Sequence, residues 1–188
     1  MVPRRSLAAL ASLTVLVGAV ALSGCGEEEE LEEPHREGLS VEFGDLDYNV
    51  FITRQLNIKN PEDHDYYQGP DAPPGSNLYG VFIEVCNSGD KPATAAKRFK
   101  IIDTQHNEFE PIEISERNVF AYRSRTIAPD DCIPAPSSAA SSAPTAGAML
   151  LFSLPLEATE NRPLELEILG DYDFEKGEYE KALVELDI

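Results

Sequence analysis

In the stretch NLYGVFIEVCN, Asn77 to Asn87, the residues Tyr79, Val81, Ile83 and Val85 recur at every second position. Successive side chains of a β-strand point to opposite faces, so this period of two puts all four on one side of a sheet. Leu78 and Phe82 make the opposite side apolar as well. A strand with two apolar faces belongs at the centre of a sheet covered on both sides. The same alternation sets Cys86 with Phe82 and Glu84, away from the main core, where the strand gives out into Asn87-Ser88-Gly89.

Strands of the same kind lie to either side. In LDYNVFITRQ, Leu46, Tyr48, Val50 and Ile52 fall on one face and Asp47, Asn49 and Thr53 on the other. FKIIDT and EFEPIEI flank the polar Gln105-His106-Asn107, the pattern of a hairpin. NVFAYR follows, then the turn-rich IAPDDCIPAP. MLLFSL and LELEIL come next, separated by Pro155, Asn161 and Pro163, and ALVELDI closes the chain with Val184, Leu186 and Ile188 alternating. Helical periodicity is scarce. Short strands with Gly and Pro in the gaps predict an all-β chain folded as an antiparallel β-sandwich of about 7–9 strands.

Two segments interrupt the pattern. NPEDHDYYQGPDAPPGS, residues 60–76, and PAPSSAASSAPTA, residues 134–146, have no periodicity and are rich in Pro, Gly, Ser or Ala. Both are expected to be flexible loops, and the second has the composition of an O-glycosylated tract.

The runs LYGVFIEVCNSGDKPAT, FKIIDTQHNEFEP and GAMLLFSLP before LELEI resemble an uncharacterised family of immunoglobulin-like domains. Those domains are carried mostly by exported lipoproteins of Gram-positive bacteria and are similar in fold to a small secreted antigen of mycobacteria. The resemblance spans about Leu46 to Leu169. It rests on an apolar strand ending in Asn and a turn (Val81 to Gly89), a strand–turn–strand unit with Asp and an aromatic (Asp103 to Phe109), and a strand with Phe and a closing Pro (Phe152 to Pro155). Where the family has a tight Pro-Gly turn, this chain has APDDCIPAP and the Ser/Ala tract. The resemblance implies an immunoglobulin-like sandwich and an exported location, and it supplies no catalytic residue.

The N-terminus has another character. Arg4 and Arg5 precede a charge-free run from Ser6 to Leu22, shorter than the ~20 residues that a membrane-crossing helix needs. That is the plan of a secretory signal peptide. Its ending, Leu22-Ser23-Gly24-Cys25, resembles the lipobox of bacterial lipoproteins. The resemblance implies a diacylglyceryl (palmitate-type) group on the Cys25 thiol, cleavage before Cys25 and acylation of the new amine. More than one acyl chain is what stable anchoring requires. The segment from Gly26 to Gly38, GEEEELEEPHREG, is too acidic to bury a core and reads as an extended tether. The organisation is then residues 1–24 signal peptide, 25–38 lipidated Cys and acidic tether, and 39–188 immunoglobulin-like sandwich.

The formal charge of −19 becomes −21 once Arg4 and Arg5 leave with the signal, which argues against nucleic acid as a partner. Lys97, Arg98 and Lys100 form one local basic group. With Cys25 used for lipid, Cys86 and Cys132 remain, and an even remainder in an exported chain points to a disulfide. Such a bridge requires Cys86 at its strand end, reaching a loop that carries Cys132.

The residues carry little that reads as reaction chemistry. The histidines are His35, His64 and His106, and no GxSxG, HExxH, CxxC or phosphate-cradling glycine loop occurs. Asp171, Asp173 and Glu175 imitate an EF-hand loop, but Gly177 falls one position late and the twelfth position is Ala182; a hairpin turn around Lys176-Gly177 fits better. Glu62, Asp63, His64 and Asp65, beside Tyr66 and Tyr67, are weak candidates for a divalent-cation site. The expectation is a non-enzymatic extracytoplasmic lipoprotein without a cofactor. It would be held to the membrane by its lipid, inner or outer being open, and would bind an envelope protein or an extracellular ligand. The alternatives are a small-ligand or cation-binding lipoprotein that uses the 60–76 loop, and an unmarked envelope hydrolase.

Overall fold

The computed structural model describes residues 34–174 and 177–188. The expected signal peptide, Cys25 and the glutamate run lie outside them.

The central strand β4 (Ser76–Cys86) is flanked by β3 (Leu46–Leu56) on one side and by β10 (Ala148–Pro155) and the short β9 (Cys132–Ile133) on the other, all antiparallel. β2 (Ser40–Phe43) extends this first sheet beyond β3 through a two-residue turn, Gly44-Asp45, with both φ angles near +60°. That is the geometry of a tight hairpin. Val41 and Phe43 alternate ahead of the Gly-Asp pair, a strand signal that the sequence reading passed over. The second sheet has the order β1 (His35–Arg36), β12 (Glu178–Leu186), β11 (Leu164–Asp173), β6 (Arg98–Ile102), β7 (Glu108–Phe109). β5 (Ala93–Thr94) and β8 (Thr126–Ile127) form a small separate ladder.

The chain therefore makes an antiparallel β-sandwich. Taking β3, β4 and β10 as A, B and E, and β12, β11, β6 and β7 as G, F, C and C′, the strand order is that of an immunoglobulin-like fold. Tyr79, Val81, Ile83 and Val85 of β4 meet Phe99 and Ile101 of β6, Leu166 and Ile168 of β11 and Val184 of β12 in the core between the sheets. Two tyrosine hydroxyls grip the backbone of one residue, Ala96, from either side of its Cα. Tyr48 Oη accepts from Ala96 N at 2.7 Å, and Tyr122 Oη donates to Ala96 O at 2.9 Å. Burial pushes both phenols above their ordinary range.

Several expectations need correction. Ile52 is exposed and Thr53 is buried, the reverse of the alternation, because a β-bulge shifts the register of β3 between Val50 and Ile52. Beyond the bulge Ile52 pairs with Phe82 and Leu56 with Leu78, so these residues belong to the outer face of the sheet. NVFAYR makes no strand; it touches β10 by a single bridge, Ala121 to Met149. EFEPIEI is a strand only at Glu108–Phe109, after which the chain crosses to the first sheet, where Ile112 N donates to Leu151 O.

The folded domain also begins earlier than residue 39. β1 pairs in parallel with β12, and the Glu37 carboxylate accepts from Thr53 N at 2.7 Å and Asp187 N at 3.2 Å, touching both sheets. Thr53 N lies past the end of β2 on the edge of β3, so a side chain supplies the acceptor that a neighbouring strand would otherwise give.

Cys86 and Cys132 form the expected disulfide, but Cys132 sits on a strand rather than in a loop. The two lie directly opposite in the β4–β9 register with Cα atoms 4.1 Å apart. Asn87, next in the chain, is 1% exposed and ties its own loop to strand β8: its side-chain amide donates to Lys91 O and Ile127 O and its oxygen accepts from Gly89 N. At the far side of the sandwich, Asp103 caps the β6–β7 turn. Burial pushes its carboxyl up, but hydrogen bonds from the Asn107 side chain and N–H, the Asn161 side chain and Gln105 N–H outweigh this and hold it below the usual Asp value.

Two outcomes follow for equilibrium urea unfolding. The Cys86→Ala/Cys132→Ala variant loses about 2–4 kcal/mol, since the bridge closes a 46-residue separation. Asp103→Asn is less stable than the parent at pH 7. Because the folded carboxyl is depressed, its contribution is complete above the unfolded value of about 3.9 and is lost as pH falls through the lower folded one, so the difference between the two proteins shrinks as pH falls below about 3.9.

Candidate functional site

The outer face of the first sheet is not left to solvent. Leu56 of β3, Leu78 and Phe82 of β4 and Met149 and Leu151 of β10 form an apolar floor. Gly80 lies within it: a Cβ there would come within 2.9 Å of the Phe82 ring and 3.3 Å of Leu56 and Met149. The absent side chain lets those three residues meet.

Both segments expected to be mobile loops fold down onto this floor. Residues 61–66 form helix α1 (Pro61–Tyr66). Asn60 caps it by accepting from Glu62 N, Pro61 opens it, and acids occupy its first turn. Residues 139–142 form helix α2 (Ala139–Ser142), capped by Ser138, with Ala140 on its buried side. Tyr66 joins the two: its hydroxyl accepts from Thr145 N at 2.8 Å and donates to Thr145 O at 3.4 Å. Its ring meets Phe82 edge-on at 5.2 Å and Phe120 at 4.7 Å. Asn118 brings in the third segment by donating to Tyr66 O at 2.8 Å. Flexible composition gave way here because the sheet offers an apolar face that must be covered.

The four cation-site candidates are separated by this helix. Consecutive helical residues fan out by about 100° each, so four in a row cannot converge. Asp63 turns inward, 4% exposed, accepting from Asn57 N at 2.8 Å and pairing with Arg54 at 2.7 Å. Arg54 in turn lies over the Tyr66 and Phe82 rings at 5.4 and 5.8 Å. Glu62, His64 and Asp65 are exposed. Among the described residues no three His, Cys, Asp or Glu side chains converge as a metal site would require. His106 lies in the exposed β6–β7 turn, and His35 on β1.

What the three segments enclose is a cleft of about 520 Å³ between α1 and α2, lined by Arg54, Glu62, Asp65, Tyr66 and Phe120 on one side and by Ala139 and residues 143–145 on the other. Its volume falls within the roughly 300–1,000 Å³ of small-molecule sites. A second cleft of about 460 Å³ adjoins it on the other side of Asp65 and Phe120, reaching Tyr67, Gly69 and Ile114. Residues 60–76 and 134–146 stand out in the sequence by composition, but nothing local to either shows that they meet. The usable signal was the second apolar face of β4, which required a cover.

No protein-family model and no curated protein sequence matches the chain. Among solved structures it is similar to the yjhA protein of Bacillus subtilis, at 13% identity over 81% of this chain and 99% of that one, with a TM-score of 0.46. It is likewise similar to an uncharacterized β-sandwich protein of Clostridium difficile, at 12% identity over 85% and 99% of the two chains, TM-score 0.46. A functionally unknown protein of Listeria monocytogenes matches at 9% identity over 80% and 82%, again with a TM-score of 0.46. No helix among the described residues is long and apolar enough to cross a membrane.

Arg54→Ala strands the Asp63 carboxylate beneath α1. The expected cost is about 2–3 kcal/mol in urea unfolding, below the full value of a buried pair because Arg54 is partly exposed. Lys59→Ala, an exposed neighbour with no role in the cover, changes stability by less than about 0.5 kcal/mol.

Proposed function

We propose that this chain is a lipid-anchored, non-enzymatic binding protein on the extracytoplasmic face of a bacterial membrane. The observation that supports a binding role is the cleft between α1 and α2. Three connections that the sandwich does not need for closure are assembled there around a buried tyrosine, and they leave a concave, largely apolar space open to solvent. Anchoring draws its support from the sequence alone. An apolar leader ends in Leu22-Ser23-Gly24-Cys25, and the acidic stretch after it suits a spacer between bilayer and domain.

Two measurements on full-length protein, made in a bacterial host that processes lipoproteins, test the halves separately. Intact-mass analysis of the membrane fraction is expected to find a chain that begins at diacylated Cys25, and Cys25→Ala is expected to leave the membrane. An unmodified Cys25 in the cytosol defeats the anchoring. A photo-crosslinking residue at Ala139, on the cleft wall, is expected to capture a discrete adduct in cells, while one at Glu116 captures none. Equal labelling from both positions defeats the cleft as the binding site.

A further inference from the structure

The charge at the cleft is one-sided. On α1, Glu62, Asp65 and Tyr66 stand at i, i+3 and i+4, so a single helix face turns two carboxylates toward the opening, with the largely buried Tyr66, its hydroxyl bonded to Thr145, beside them. The facing wall carries no charge: Ala139 and Ala143 stand one helical turn apart, followed by Pro144 and Thr145. The one cation in the lining, Arg54, is spent on Asp63 at 2.7 Å. Glu62 and Asp65 have no cationic partner among the described residues, and both are exposed. Phe120 and Tyr66 offer aromatic surface between the acidic and the small-residue walls. Beyond the cleft, the net charge of −19 concentrates cations near the surface.

We infer that the cleft takes a small organic cation: a primary ammonium or guanidinium on an apolar or aromatic body. The body lies along Ala139, Ala143 and Phe120, where displacing water from apolar surface favours binding. The cation faces Glu62 and Asp65, close enough to the Tyr66 and Phe120 rings to gain from their electron-rich faces. Acidic exposed pairs contribute modestly, so affinity rests on the apolar body and selectivity on the charge. The inference rests on the reading of this cleft as a binding site and adds its ligand class.

The test compares three probes of one shape by fluorine NMR on the full-length protein: 4-fluorophenethylammonium, 4-fluorophenethyl alcohol and 3-(4-fluorophenyl)propionate. The ammonium is expected to bind about five-fold or more tighter than the alcohol, with the propionate weakest, and the preference shrinks as salt is raised. Glu62→Gln/Asp65→Asn, which alters only exposed side chains, is expected to bring the ammonium down to the alcohol's affinity while lowering the thermal midpoint by no more than about 4 °C, the effect of losing a carboxylate from the first turn of α1. Ala143→Trp is expected to exclude all three. Equal binding of the three probes, or an ammonium preference that survives Glu62→Gln/Asp65→Asn, overturns the ligand class while leaving the cleft as a site. If none binds the parent protein, the ligand class falls, while the cleft as a site is decided by the crosslink from Ala139 and the state of Cys25 by mass.

Discussion

Strand β4 has no face turned to water, and the rest of the architecture answers that fact. Its Tyr79, Val81, Ile83 and Val85 side is met by the opposing sheet, which is the ordinary solution for a sandwich. Its Leu78 and Phe82 side needs a second cover, and among the described residues the sheet beyond the two large ones, the β5–β8 ladder, is only two residues per strand. The chain instead draws on three connections, residues 60–76, 110–122 and 134–146, and folds them over the outer face with Tyr66 as the common fastening. The bulge in β3 belongs to the same arrangement. By shifting register after Val50 it sends Leu56 and Arg54 outward, where one adds to the floor and the other neutralises Asp63 beneath α1.

How far the sequence went can be judged residue by residue. The long strands were legible because each buries one or both faces, and burial writes a period of two into the residues, as in Leu164–Leu166–Ile168 and Val184–Leu186. The bulge was not legible, since Phe51 and Ile52 look like a continuation of the strand until pairing with β4 displaces them by one. β1 and Glu37 were lost inside an acidic composition that elsewhere means a tether; their role depends on partners more than a hundred residues away on β12. The cleft was half legible. Asn60-Pro61 and Ser138 are helix-start signals in segments otherwise read as flexible, but nothing local in either says that they meet.

Site chemistry followed the same division. Adjacent acids at Glu62, Asp63 and Asp65 invited a shared role, and one turn of helix gave them different ones: Asp63 anchors the helix to the sheet, while Glu62 and Asp65 face the opening. A row of like residues in sequence is a poor guide to convergence in space, because helical rotation separates neighbours and unites residues three or four apart.

Strand β1 runs parallel to β12 and is the first strand among the described residues. A load applied to the chain on its N-terminal side, and directed along that strand, stretches the β1 pairings together instead of opening them one after another. Glu37 divides the same load between the two sheets, through Thr53 N on β3 and Asp187 N just past β12. The domain is therefore gripped at this end like a joint bonded along its overlap, with tension entering both layers at once rather than peeling one from the other.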